Sequence, residues 1–308
     1  MHTDIAPAAE DARVLVGTAS WTDPTLIACG RFYPRREMSA EERLRFYAGV
    51  FPLVEVDSSW YRLPCARNAR LWAERTPEGF TMNLKAFGLF TGHRIAAEAL
   101  DADIRVALGD RLGERCTHAD LPHEVVDELW LRFREAIAPL ADARRLGLVH
   151  LQFASGLRPD ARGIAHVEHC VERLAGFTPS VEFRHRSWFD GAQRERTLEL
   201  LRKLGAVHTV VDAPQGPDNT VPAVWAVTHP RYALLRLHGR NASTWNLRGA
   251  AASSSRFDYS YTSAELAELA AAIRRLQRHR ETHVVFNTNM EDKGQRSALG
   301  LREALLAA

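Results

Sequence analysis

Short apolar runs recur along the chain, and most of them end at polar or small residues, as buried strands do. Eight runs predict strands: RVLVGTASW (13–21), LVEVDSSWY (53–61), FTMNLKAF (80–87), LGLVHLQFA (146–154), SVEFRHRSW (180–188), GAVHTVVDA (205–213), RYALLRLHG (231–239) and THVVFNTN (282–289). Apolar residues spaced by three and four predict helices over residues 39–51, 66–76, 122–145, 164–177, 192–205, 262–280 and 294–307.

Strands that alternate with helices indicate parallel pairing through right-handed crossovers, and eight strands favour a closed barrel. The predicted fold class is therefore α/β, a (β/α)8 TIM-type barrel. The alternative is a doubly wound open sheet, but GTASW stands after the first strand where a G-x-G-x-x-G would be expected. We expect one domain over residues 13–308 after a disordered tail at 1–12. Two long segments, residues 88–121 and 241–261, predict insertions after strands 3 and 7.

The composition and charge bound the class of protein. Of 308 residues, 46% are hydrophobic and 25% charged, and the net charge of +2 gives no overall attraction to nucleic acid or membrane. The four cysteines form no C-x-x-C pair, so the sequence predicts neither a zinc site nor a disulfide framework. Without a signal peptide or a segment long enough to span a bilayer, we expect a cytoplasmic protein with no membrane partner.

Polar side chains collect near the ends of the predicted strands, where a barrel of this kind builds its site. They are Trp21, Glu55, Asp57, Tyr61, Lys85, Gln152, Glu182, Arg184, Asp212, Arg236, His238, Asn287 and Asn289. Several are two residues apart, as Glu182 and Arg184 are, and side chains at that spacing share one face of a strand. The alternative is structural: Glu182 with Arg184 or Arg236 would form a buried ion network that fixes the strand register.

The residue types favour an anionic ligand and acid–base chemistry. Lys85, Arg184 and Arg236 suit a phosphate or carboxylate, while Glu182, Glu55 and His238 are candidate general acids and bases. A metal site built from Glu55, Glu182, Asp212 and His238 is the weaker alternative, because nearby cations oppose it and no metal-binding motif is present. The sequence names no cofactor.

Several segments resemble the family known as domain of unknown function 72, or YecE-like. They are GTASW, FYP (32–34), FPLVEVDSSWYRLP (51–64), W-x-x-x-T-P (72–77), LKA (84–86), SVEFRHRSWF (180–189), LLRLHGR (234–240) and VVFNTN (284–289). The resemblance implies a TIM-type barrel and no settled activity. The chain departs from the family pattern at Asp57, in the QFASG stretch from Gln152, and in the separation of Asn287 from Asn289.

The leading hypothesis is an enzyme that acts on a small anionic, sugar- or nucleotide-like substrate. Arg184 and Arg236 would hold the anion, Lys85 would neutralise developing charge, and Glu182 with His238 would move protons, assisted by Glu55. Trp21, Asp57, Tyr61, Gln152, Asp212, Asn287 and Asn289 would contact the substrate. The alternatives are a nucleic-acid-binding or processing protein that stacks a base on the mouth aromatics, and a non-catalytic ligand sensor.

Overall fold

Eight parallel strands close into a barrel in the computed structural model, which describes residues 13–216, 219–246, 253–276 and 281–307. In chain order they are β1 (Arg13–Ala19), β2 (Leu53–Val56), β3 (Thr81–Lys85), β6 (Leu146–Gln152), β7 (Thr178–Glu182), β8 (Val207–Asp212), β9 (Tyr232–Leu237) and β10 (Glu281–Phe286). The two short strands between β3 and β6 lie outside the barrel and are described below. Around the barrel they follow the order β1-β10-β9-β8-β7-β6-β3-β2. The predicted TIM-type barrel is confirmed, and the open doubly wound sheet is excluded. The predicted tail at 1–12 lies outside the described residues.

Seven of the described helices lie in segments where apolar periodicity predicted them, and four short ones were not predicted. The helices are α1 (Pro24–Cys29), α2 (Ala40–Val50), α3 (Ser58–Tyr61), α4 (Ala66–Glu74), α5 (Ala102–Leu108), α6 (His123–Asp142), α7 (Ala161–Glu172), α8 (Gln193–Lys203), α9 (Ala242–Trp245), α10 (Ser263–Leu276) and α11 (Lys293–Leu306). At the start of α2, the Ser39 hydroxyl accepts from the Glu42 N–H and the Glu42 carboxylate accepts from the Ser39 N–H. This capping box satisfies two backbone donors that the first turn leaves unpaired.

Two long segments follow barrel strands at their carboxyl ends. The segment after β3 carries α5 and a short antiparallel pair, β4 (Ile95–Ala96) with β5 (Arg115–Cys116). The segment after β9 carries α9 and a 3-10 turn at Ser253–Phe257. Both therefore lie where they can supply walls to the mouth of the barrel.

The predicted strands extended too far at their carboxyl ends. β2 ends at Val56, and the next residues form the single turn α3, so Tyr61 lies on a helix. β7 ends at Glu182, which places Arg184 in the loop that follows. At the end of β2 the Ser59 hydroxyl donates to the backbone carbonyl of Lys85 at 2.6 Å, a tertiary contact of the turn that the strand pattern does not encode.

The interior of the barrel has a mainly apolar lower layer and a polar upper layer. The lower layer includes Leu15, Leu53, Leu148, Val207 and Leu234, with the hydrogen-bonded pair Asn83 and His283 among them. Two residues later, on three of the same strands, stand Glu55, His150 and Arg236, all buried. Because side chains alternate along a strand, these polar residues point into the same interior one layer nearer the mouth.

Candidate functional site

Two carboxylates share one guanidinium in the upper layer, and all three side chains are fully buried. Arg236 donates to Glu55 through Nε (3.0 Å) and Nη2 (2.6 Å), and to Glu182 through Nη1 (2.6 Å). We call Glu55, Glu182 and Arg236 the charge network. Leaving any of these charges without its partner in the low-dielectric interior would be costly, so the three residues form a unit.

The two carboxylates of the charge network have pKa values that are shifted in opposite directions. Burial raises the pKa of Glu55 to about 7, although Arg236 opposes the rise. Burial acts on Glu182 in the same sense, but the charge of Arg236 and the hydrogen bonds of His150 and His238 hold its pKa well below the ordinary value. For Arg236, the two carboxylates outweigh burial and raise its pKa. Glu182 is therefore the carboxylate that stays ionised.

Two histidines flank Glu182. His238 Nε2 lies 3.4 Å from its carboxylate and His150 Nε2 also lies 3.4 Å away. Burial lowers the pKa of each histidine to about 4, so both rings are neutral at pH 7. The other nitrogen of His238, Nδ1, lies 2.8 Å from the side-chain amide of Asn287.

A cavity of about 420 Å³ opens above the charge network. Its polar lining includes Asp57, Lys85, Gln152, Arg184, Asn287, Asn289, His93, Arg94, Ser155, Asn219 and Arg256, and its aromatic lining is Trp60, Tyr61, Phe153 and Phe257. This size lies within the range of small-molecule sites. We call it the central cavity.

The family model for proteins of unknown function DUF72 matches residues 15–308. The chain belongs to the DUF72 family. It is 28% identical to the UPF0759 protein YunF of Bacillus subtilis over 284 residues, 90% of this chain and 89% of that protein.

Solved DUF72 structures share the fold. A family member from Thermotoga maritima is 26% identical, with a TM-score of 0.74 over 95% of this chain and 99% of that one. Another from Enterococcus faecalis is 24% identical, with a TM-score of 0.77 over 96% of both chains. These similarities establish the fold of the family and leave the ligand of the central cavity open.

The structure divides the predicted site residues of this DUF72 chain into two layers. The central cavity is lined by seven of them: Asp57, Tyr61, Lys85, Gln152, Arg184, Asn287 and Asn289. Glu55, Glu182, Arg236 and His238 are buried beneath it and do not line it. All three guanidinium nitrogens of Arg236 donate to Glu55, Glu182 or, at 3.3 Å, Gln152, so its described contacts are internal to the protein.

Two predicted residues lie apart from the central cavity. Trp21 is buried in edge-to-face contact with Trp72 and lines a neighbouring cavity of about 210 Å³ that shares Asp57. Asp212 accepts from the hydroxyl of Tyr261 (2.6 Å) and from Arg240 Nε (3.0 Å), and it faces a separate pocket. The described contact of Trp21 is aromatic packing, and those of Asp212 are an ion pair and a hydrogen bond within the protein.

Lining residues that the predicted site did not include come from the long segments, from α3 and from the loops after β6 and β8. His93 and Arg94 follow β3, Arg256 follows β9, and Trp60 lies on α3. Burial, reinforced by the charges of Lys85 and Arg184, lowers the pKa of His93 to about 4. The length of the insertions was the one signal available, since loop residues follow no periodicity.

The described residues offer no group of three or more His, Cys, Asp or Glu side chains that could hold a metal ion. Within the same part of the chain, no helix combines the length and apolar character needed to cross a membrane.

Proposed function

We propose that this DUF72 protein is an enzyme that binds a small anionic, sugar- or nucleotide-like substrate in the central cavity. The observation that carries the proposal is the charge of the lining. Among the described lining residues, four side chains are cationic, Lys85, Arg94, Arg184 and Arg256, and one is a carboxylate, Asp57. Such an excess, held by low-dielectric walls, attracts and orients an anion.

Arg184 is the proposed anchor for the anion. Its Nη1 donates to Glu182 Oε1 (3.2 Å), and its guanidinium lies 5.0 Å from the ring of Trp245. Among the described residues, that bond to Glu182 is its one hydrogen bond, although a guanidinium carries five N–H donors. The remaining donors supply the forked geometry that phosphate and carboxylate groups prefer.

Proton transfer is assigned to the ionisable pair that lines the central cavity. Lys85 Nζ lies 3.4 Å from Asp57 Oδ1, and the side chains are 13% and 19% exposed. Both can reach a bound substrate, whereas Glu182, His238 and Glu55 act from below by fixing the electrostatic field of the floor. The aromatic lining beside Lys85, including Trp60 at 5.6 Å, offers faces for a sugar or base.

The test is ligand binding measured by thermal shift, with sugar phosphates, nucleotides, carboxylates, and single- and double-stranded oligonucleotides. We expect one class of small anion to raise the melting temperature of the wild type and of Arg196→Gln, an exposed arginine on α8, but not of Arg184→Gln. The bound compound is then incubated with the wild type and with Lys85→Met, and products are followed by NMR.

Each outcome decides between classes of function. Conversion by the wild type and none by a Lys85→Met variant that still binds supports the enzyme. Binding without conversion replaces it by a ligand sensor. A shift caused by oligonucleotides alone, weakening as salt rises, replaces it by nucleic-acid binding.

A further inference from the structure

Two amide side chains on the floor of the central cavity are held by the charged residues beneath them. The first is Gln152, whose Oε1 accepts from Arg236 Nη1 at 3.3 Å. A guanidinium can only donate, so Gln152 must turn its oxygen downward. Its NH2 group makes no hydrogen bond to another described residue, and Gln152 lines the central cavity. The floor therefore presents a donor at this point.

The second amide, Asn287, is held in the opposite sense. Glu182 is a carboxylate that can only accept, so the His238 Nε2 that faces it at 3.4 Å carries the proton. The neutral ring then has an acceptor at Nδ1, and Asn287 turns its NH2 group toward it at 2.8 Å. The carbonyl oxygen of Asn287 makes no hydrogen bond to another described side chain, so the floor presents an acceptor here.

The two amides are connected through one chain of contacts. It runs from Gln152 to Arg236, from Arg236 to Glu182, from Glu182 to His238, and from His238 to Asn287. Each contact fixes the donor or acceptor role of the next group. Rotating either amide would set donor against donor or acceptor against acceptor in a buried place, which costs the desolvation of both groups.

We propose, as a consequence that rests on the proposed function, that the charge network selects a hydroxylated anion. Its carboxylate or phosphate binds Arg184, and its hydroxyl groups accept from Gln152 and donate to Asn287. A hydroxyl group matches this floor because it is both donor and acceptor. Sugar phosphates, nucleotides and polyhydroxy acids are compounds with this combination.

The experiment compares anions that differ in their hydroxyl groups, by isothermal titration calorimetry. The probes are glycerol 3-phosphate with propyl phosphate, and gluconate with hexanoate. We expect the hydroxylated member of at least one pair to bind the wild type about tenfold more tightly, since a site built to bond a hydroxyl rejects the analogue that lacks it. Arg184→Gln should abolish binding of both members.

Two floor variants test the assignment of the amides. Asn287→Leu and Gln152→Met keep the side-chain size and remove the acceptor or the donor. In each, we expect the preference for the hydroxylated member to fall to about threefold or less, while the analogue without hydroxyls binds as before. Far-ultraviolet circular dichroism and melting curves establish that each variant is folded, and either variant alone suffices if the other does not fold.

The failures are distinguishable. If none of the four probes binds in a way that depends on Arg184, this inference falls, while the proposed function falls only if the thermal-shift panel also finds no anion whose binding depends on Arg184. If they bind through Arg184 but both members of each pair bind equally, the anion site stands and the hydroxyl selection is wrong. If the floor variants weaken both members equally, the amides do not read the hydroxyl group, and the inference is also wrong.

Discussion

Replacing Arg236 by methionine removes the single cation that two buried carboxylates share. Glu55 and Glu182 would remain with no exposed surface and without their strongest donor. Methionine fills most of the vacated volume, so the change isolates charge pairing from packing. We expect Arg236→Met to lose about 3–5 kcal/mol of unfolding free energy at pH 7, the usual cost of removing one partner from a buried ion pair.

The magnitude follows from three short contacts. The variant loses the bonds at 2.6, 2.6 and 3.0 Å from Arg236 to the two carboxylates. Hydrogen bonds to charged groups contribute roughly 1.5–3 kcal/mol each, so an uncompensated loss would exceed 4 kcal/mol. Proton uptake by the two carboxylates limits this loss of stability. Burial already raises the pKa of Glu55 to about 7, and without Arg236 the pKa of Glu182 should also rise.

The sign of the pH dependence follows from that uptake. A carboxyl whose pKa is raised on folding binds more protons in the folded than in the unfolded chain, so its contribution to stability declines as pH rises above the unfolded pKa. In the wild type the pKa of Glu182 is lowered on folding, and we expect it to be raised only in the variant. The deficit of Arg236→Met relative to the wild type should therefore grow from pH 5 to pH 7, by up to about 1.4 kcal/mol per pH unit for one carboxyl.

The assay is urea unfolding followed by tryptophan fluorescence at pH 5, 6 and 7, with Arg196→Met as the exposed control. A deficit below about 1 kcal/mol at pH 7 would mean that Arg236 does not carry the pairing that its distances indicate. A deficit that is the same at all three pH values would refute the claim that burial of the carboxylates controls the cost.

Two further changes test how the interior is packed and paired. Gly147→Ala would place a Cβ 2.5 Å from Asn83 Oδ1 and 2.6 Å from Thr81 Cγ2, so we expect a loss of about 1–3 kcal/mol in urea unfolding, and an unchanged midpoint would contradict the tight register there. Tyr261→Phe removes the hydroxyl that donates to Asp212 (2.6 Å) and accepts from the N–H of Gly239 (3.0 Å). It should cost about 1–3 kcal/mol, measured by the same assay, and a change too small to detect would show that water replaces the hydroxyl at no cost.

The two-residue period of the strands was enough to predict much of the fold and part of the candidate site. Leu53 with Glu55 and Leu234 with Arg236 show why: a spacing of two puts an apolar residue and a charged one on the same inward face, one layer apart. With eight strands in parallel alternation, the inward charges had to meet in one interior. The sequence left open whether Glu182 pairs with Arg184 or across the barrel, and in the structure it does both.

The height of each side chain within the barrel could not be predicted. Period alone does not separate Lys85, which reaches the central cavity, from Arg236, which lies below it, because that depends on strand stagger and on where each strand ends. Strand ends were the weakest part of the prediction, as α3 shows. Arg94 and Arg256 come from insertions whose path is set by tertiary packing.

The cost of the upper layer is an argument for its role. The lower layer is built mainly of aliphatic side chains, with the hydrogen-bonded pair Asn83 and His283 among them, so closing the barrel there does not depend on a guanidinium shared by buried carboxylates. Replacing a buried ion network by apolar residues of similar size is often neutral or stabilising, and a purely structural function would therefore be served as well by leucine as by Glu55, Glu182 and Arg236. What leucine cannot do is fix which way Gln152 and Asn287 face. The directional polarity of the cavity floor is the property that only the charged layer supplies.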